Sequence, residues 1–268
     1  MTTEAFAGAL REWRGRRRVS QLELALRAGT TQRHVSFIES GRSVPGRAMV
    51  VRLAESLEIP LRERNSLLLA AGYAPAYAET GLDELHAIRT ALENVLRGHN
   101  PYPAVIIDRH ADRVASNAAF DLLIGDLPAG NVARLFLRDM APRIRNLDEW
   151  AWHVIDALRL EAARNPTDRL QDLIAELEPL LPERAAPGPG HLGFAVPLRL
   201  ASPYGELRLL STLTRFGTAV DVTVAELRLE AFLPADDETA TALNTLWKSR
   251  DVPDRRPPPP DSHQEPTP

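Results

Sequence analysis

The sequence predicts an α+β chain in two parts, an all-α domain of five short helices followed by an α/β domain built on an antiparallel sheet. Three observations predict it. Capping residues and glycines punctuate the first eighty residues at helix-length intervals, runs rich in Val and Leu reach strand length only beyond residue 100, and charge divides at the same place. Residues 1–80 hold 12 Arg and 8 Glu, whereas the remaining 188 hold 20 basic and 28 acidic groups. The net charge of −4 therefore hides a basic N-terminal part, the face suited to a polyanion. A length of 268 residues fits two domains at about 100–200 residues each.

The first helix is expected over residues 4–17, from the helical spacing of Phe6, Leu10 and Trp13. Ser20 with Glu23 forms a capping box that opens a helix from Gln21 to about Ala28, ended by Gly29. Thr31 caps a third helix that runs to about Ser40 and stops at Gly41. A fourth is expected from Arg47 to Leu57 and a fifth from Leu61 to Ala71. Gly72 to Gly81, with Pro75, marks a boundary, so the domains are read as 1–80 and 81–250. An amphipathic helix from Leu82 to Leu96 connects them.

Beyond it, Ala104 to Asp108 and Arg113 to Ser116 read as a hairpin around a polar turn. Helices are expected at Asn117 to Ile124, Val132 to Leu137, Leu147 to Ala163 and Asp168 to Leu180, before a Pro/Gly-rich break from Pro182 to Gly190. Three strands follow, Phe194 to Leu200, Glu206 to Arg215 and Val220 to Leu233. The last is read from Val220, Val222 and Val224 alternating with Asp221 and Thr223. A helix from Asp236 to Lys248 closes the domain, and residues 251–268, with Pro257 to Pro260, read as a disordered tail.

Within Gln21 to Ser40 the residue types suit two helices crossing steeply, a helix-turn-helix. Ala25 is small at the crossing, Gly29 permits positive φ in the turn, and Val35 and Ile38 are expected against Leu22, Leu24 and Leu26 or their neighbours. The exposed side of the second helix then offers Gln32, Arg33, Ser36 and Phe37 to a major groove. Arg suits a guanine edge, Gln an adenine edge and Phe a thymine methyl, although Phe37 is open to a core reading too. Gln21, Thr31, His34, Arg42, Ser43 and Arg47 lie near helix ends and loops, where phosphates run. The expected partner is double-stranded DNA, bound by a homodimer with recognition helices about 34 Å apart.

The segment SQLELALRAGTTQRHVSFIESGRSVPGRAMVVRLAESLEIPLRERNSLLLAAGYAPAY resembles the Cro/repressor-type (Xre) helix-turn-helix of MmyB-like transcription regulators. The likeness continues through PYPAVIIDRHADRVASNAAF and LRLLSTLTRFGTAVDVTVAELRLEAFLPADDET, so it covers roughly residues 5–247. One departure is Ala111, where the family commonly carries Trp. The resemblance implies a PAS-like second domain, and a relative holds a fatty acid there. A few-stranded antiparallel sheet with helices on one side is independently the layout of such a fold. Candidates to line a pocket for a fatty acid or other apolar molecule are Val105, Ile107, Asn117, Phe120, Trp150, Trp152, Leu209, Leu213 and Phe216. For each apolar one taken alone, plain core is the stronger reading, and for Asn117 capping of the helix that follows it is preferred to ligand contact.

Little points to catalysis, and no cofactor is expected. Gly188 to Gly193 (GPGHLG) has the spacing of a dinucleotide fingerprint, but Pro187 and Pro189 interrupt it and no strand precedes it, so it reads as a loop. Asp108-Arg109-His110 reads as a polar turn. The 7 His are scattered without metal-ligand spacing, and the absence of Cys removes disulfides and thiolate sites. No apolar run reaches the ~18 residues needed to span a bilayer, and the N-terminus lacks the layout of a secretory signal. The expectation is a cytoplasmic regulator with no membrane partner.

Overall fold

The computed structural model describes residues 3–81, 86–128, 130–184, 195–216 and 219–250. Several expectations lie outside these residues: the start of the connecting helix, the loop reading of Gly188 to Gly193, the first residue of the Phe194 strand, and the tail. Helices α1 (Thr3–Arg16), α2 (Gln21–Arg27), α3 (Gln32–Glu39), α4 (Arg47–Ser56) and α5 (Leu61–Ala70) enclose one core that includes Phe6, Leu10, Leu24, Val35, Ile38, Leu53 and Leu68. Their ends follow local chemistry. Ser20 Oγ accepts from Glu23 N and Thr31 Oγ1 from His34 N, satisfying first-turn donors that have no helical acceptor.

The second part begins with α6 (His86–Arg97) and the hairpin β1 (Ala104–Ile107) and β2 (Arg113–Ser116). There follow α7 (Ala118–Ile124), α8 (Val132–Arg134), α9 (Leu147–Arg164), α10 (Asp168–Leu177), β3 (Leu198–Ser202), β4 (Gly205–Arg215), α11 (Val222–Glu226), β5 (Arg228–Pro234) and α12 (Asp237–Ser249). The strands form one antiparallel sheet in the order β2-β1-β5-β4-β3. Strand alternation sends Val105, Ile107, Leu209 and Phe232 to an inner face covered by α7, α9 and α10. Ala104, Ile106, Leu229 and Ala231 point to the opposite face, under Leu92 and Leu96 of α6. This curled sheet with helices on its inner side is consistent with a PAS-like fold.

Three elements differ from expectation: the strand read from Phe194 to Leu200 runs from Leu198 to Ser202, starting only after Pro197, which has no N–H to donate to a ladder, and two others change type. The helix read over Val132 to Leu137 is a single α turn that widens into a π-helical turn over Leu135–Asp139. The strand read from Val220 is instead α11 followed by β5, which starts only at Arg228. Alternating Val and polar residues gave the strand pattern, but Asp221 decides the local structure. Its Oδ1 accepts from Thr223 N and Val224 N, which caps a helix.

That short helix is where the two parts meet. Asp221 Oδ2 accepts from Thr80 N at 3.1 Å and Thr80 Oγ1 at 2.8 Å, and Val222 N donates to Ala78 O. Arg62 of α5 donates to Glu226 through Nε at 2.8 Å and Nη2 at 3.1 Å, and Arg109 of the β1–β2 turn shares the same carboxylate at 3.2 Å. Burial works against the charge of Asp221, but the bonds from Thr80, Val224 and Thr223 outweigh it and hold its pKa below the ordinary value. A depressed carboxyl stabilises above its unfolded pKa and stops doing so as pH falls through the folded one. The tether should therefore persist throughout the neutral and mildly acid range. Asp221→Ala should cost about 1 kcal/mol through the lost cap and speed proteolysis near Thr80; unchanged cleavage would show that the tether contributes nothing.

Candidate nucleic-acid interface and ligand site

Helices α2 and α3 meet through Leu24, Ala25 and Ala28 on one side and Val35 and Ile38 on the other, all buried. The turn between them passes through Gly29 at φ +63°, a left-handed conformation open to glycine. Leu22 and Leu26, expected beside Leu24, are instead 53 % and 72 % exposed. At about 100° per residue, positions two before and two after Leu24 both fall on the far side of the helix. Residues 21, 24, 25 and 28 share the face turned to α3.

Sequence reasoning missed the group that holds this pair in place. Glu39, only 4 % exposed, accepts from Arg14 Nε at 2.6 Å and Nη2 at 2.9 Å, and from Gln21 Nε2 at 2.7 Å. Arg11 adds a bond to the Glu39 carbonyl at 2.8 Å. The hydrogen bond to Glu39 raises the Arg14 pKa, against desolvation. One carboxylate thus ties α1, α2 and α3 together. The available signal was a Glu adjoining Ile38 in the buried register of α3.

The outer side of α3 presents Gln32 and Arg33 to solvent, with Ser36 and Phe37 half-buried. Phe37 is not a core residue. The Arg33 guanidinium lies 5.2 Å and that of Arg42 6.0 Å from its ring centroid, so two cations lie over one aromatic ring. Thr31 caps α3, His34 Nδ1 is 2.9 Å from Thr30 Oγ1, and Arg42 N and Ser43 N both bond to Phe37 O. Gln21 opens α2 with its amide turned to Glu39, and Arg47 is exposed at the start of α4. The ten sequence candidates therefore surround α3 and its flanking turns.

In the second part, Val105, Ile107, Phe120, Trp150 and Leu209 share one buried cluster on the inner face. Phe136 sits 5.1 Å from Trp150, edge to face, and 5.2 Å from Phe232, which is 6.2 Å from Phe120. The remaining candidates lie elsewhere. Trp152 is at the rim, donating through Nε1 to Pro182 O at 3.0 Å with Arg184 over its ring. Leu213 is 52 % exposed, and Phe216 packs on the opposite face of the sheet. Asn117 caps α7 through Oδ1 to Phe120 N, accepts from Ala104 N, and donates to Tyr102 O and Leu96 O. All of its usual capacity is engaged within the fold.

A groove of about 900 Å³ runs between α6 and the edge strand β2, lined by Arg89, Leu92, Glu93, Asn100, Arg113 and Asp121 among others. Of the sequence candidates only Asn117 reaches it. Asp108, His110 and Asp112 bring ligand-type atoms within 4.8 Å of one another. Asp108 Oδ1 accepts from His110 N and Asp112 N, and Asp112 takes Asn131 and Arg169. These bonds build the β1–β2 turn. Among the described residues, no helix is long and apolar enough to cross a membrane.

Comparison with curated proteins finds no match. Residues 10–64 match the helix-turn-helix family, and residues 88–257, more than half of the chain, match the family described as MmyB-like transcription regulator ligand binding domain. The two matches fall on the α1–α5 core and on the sheet domain respectively, the division that the fold makes. Their order along the chain is that of an Xre/Cro-type regulator, a non-catalytic class. The chain belongs to the family of MmyB-like transcription regulators.

Proposed function

We propose that the protein regulates transcription by sequence-specific binding to double-stranded DNA, as a cytoplasmic homodimer whose second domain binds an apolar small molecule such as a fatty acid. The observation that carries the DNA half is α3 itself, with Gln32, Arg33, Ser36 and Phe37 together on its outer side. Gln21, Thr31, His34, Arg42, Ser43 and Arg47 surround them as phosphate contacts. Bidentate base contacts discriminate by about 1–3 kcal/mol each, so Arg33→Ala should weaken operator binding far more than binding to random duplex. Equal losses would assign Arg33 to phosphate. Arg42→Ala should lower both affinities alike and flatten the dependence on log salt by about one unit; an unchanged slope would remove it from the phosphate set.

The ligand half rests on the family match and on the mainly apolar inner face around Val105, Ile107, Phe120, Trp150 and Leu209. The close aromatic contacts of Phe120, Phe136, Trp150 and Phe232 favour a second reading, in which this domain is a ligand-free dimerisation or protein-interaction module. Mass spectrometry of small molecules released from the denatured pure protein separates the two. A retained fatty acid or similar lipid is the expected result. A protein that releases none and takes up none when offered C10–C18 acids is the module.

A further inference from the structure

We propose that Arg228 and Arg215, on the inner face of the sheet, form the head-group end of the ligand site and take the carboxylate of an apolar acid; this rests on the apolar-ligand reading above. Register places them opposite each other, and their side chains fall on the same side as Phe232 because Leu229 and Ala231 turn the other way. Arg228 is only 5 % exposed. Its Nη1 donates to Glu161 Oε2 at 3.1 Å and its Nη2 to Asp108 O at 3.0 Å, but its Nε is buried with no acceptor among the described residues. Buried guanidinium donors are rarely left so, since the lost hydration is not replaced.

The surroundings favour an anion. Among the described residues Glu161 accepts from both guanidiniums, from Arg215 at 2.6 Å and from Arg228 at 3.1 Å, while Asp108 and Glu230 also act on Arg228 electrostatically. The next inner residue of β5, Glu230, is pushed towards its neutral form by burial, partly offset by the bond from Ser211. The two guanidiniums thus share one hydrogen-bonded carboxylate, Glu161. Burial also works against the charge of Arg228, and an incoming carboxylate would offset that cost. Asn165 Oδ1, on the residue that donates to Glu161 Oε1 at 2.6 Å, is likewise buried without a donor among the described residues.

The site has a partly exposed rim, Arg215, and an apolar neighbour. Leu213, across from Glu230 and one inner position from Arg215, is half-exposed among the described residues although it lies on the core side, whereas Leu207 and Leu209 on the same strand are fully covered. Among the described residues the inner face is therefore open at Leu213, one inner position from Arg215. A head group at Arg215 and Arg228 leaves the alkyl chain against Leu213.

Calorimetric titration of the full-length protein with dodecanoate and with 1-dodecanol tests the assignment. The acid should bind at least about 10-fold more tightly than the alcohol of equal length, the effect of a charge-assisted hydrogen bond. Arg228→Met should erase that preference while leaving alcohol binding in place. If circular dichroism shows that Arg228→Met does not fold, Arg215→Met decides, because its more exposed side chain can be removed while Arg228 still pairs with Glu161; it should narrow the preference to about 3-fold or less. Equal affinity of the wild type for acid and alcohol, or a preference untouched in the deciding variant, overturns the head-group site while the apolar-ligand reading stands. Binding of neither probe overturns that reading and the site with it.

Discussion

Glu39→Ala is expected to destabilise the α1–α5 domain by about 3 kcal/mol, the lower end of the range for breaking a buried ion pair. The lower end applies because the Arg14 side chain is 20 % exposed and can recruit some water in place of the carboxylate. For a domain of this size the loss corresponds to a fall in melting temperature of more than about 10 °C. Removing the carboxylate also frees Gln21, so DNA affinity should drop even at temperatures where the variant is folded. Glu39→Gln keeps an acceptor for one donor and should lose less. The double change Arg14→Met with Glu39→Leu, which removes both charges, should recover most of the stability. Thermal unfolding of the four proteins checks the series, and a loss below about 1 kcal/mol in Glu39→Ala would show that the pair is not holding the helices together.

The second large effect concerns coupling. A medium- or long-chain fatty acid should shift the operator dissociation constant of the full-length protein by about 5–150-fold, the usual span of allosteric coupling. A fragment ending near Ala78 should show no shift. A ligand can change DNA affinity only by the difference in its binding to two conformations of the whole chain, so the contact between the halves must differ between those conformations. That contact is the Glu226 carboxylate, shared by Arg62 and Arg109, with Asp221 holding Thr80 beside it. Glu226→Ala should therefore reduce the fatty-acid effect several-fold without weakening lipid binding itself. Fluorescence anisotropy with labelled operator reads both quantities. A fragment that responds like the full chain would mean that the lipid acts on the basic surface directly. An undiminished shift in Glu226→Ala would place the coupling elsewhere.

Much of the fold was legible because its determinants are local. Ser20 and Thr31 as caps, Gly29 and Gly41 as stops, and the apolar spacing of α1 to α5 each operate within a few residues, and the helices formed close to where those signals stand. The β1–β2 hairpin and α12, opened by Asp236, were equally plain. The same reliance on local pattern misread Val220 to Glu226, where the Val alternation and the Asp221 cap pointed to different structures. It also grouped Leu213 and Phe216 with the inner core, although the sheet separates Phe216 from it.

By itself, then, the sequence determined two domains, the helix-turn-helix and the residues on the outer side of its second helix, since capping, helical period and charge distribution are short-range properties. Tertiary structure alone decided that Arg14 and Gln21 converge on Glu39, that Glu226 joins Arg62 to Arg109, and that Arg215 and Arg228 meet Glu161. Those partners lie between 18 and 164 residues apart along the chain. Which distant charges become neighbours depends on how helices cross and strands register, and no local periodicity carries that information.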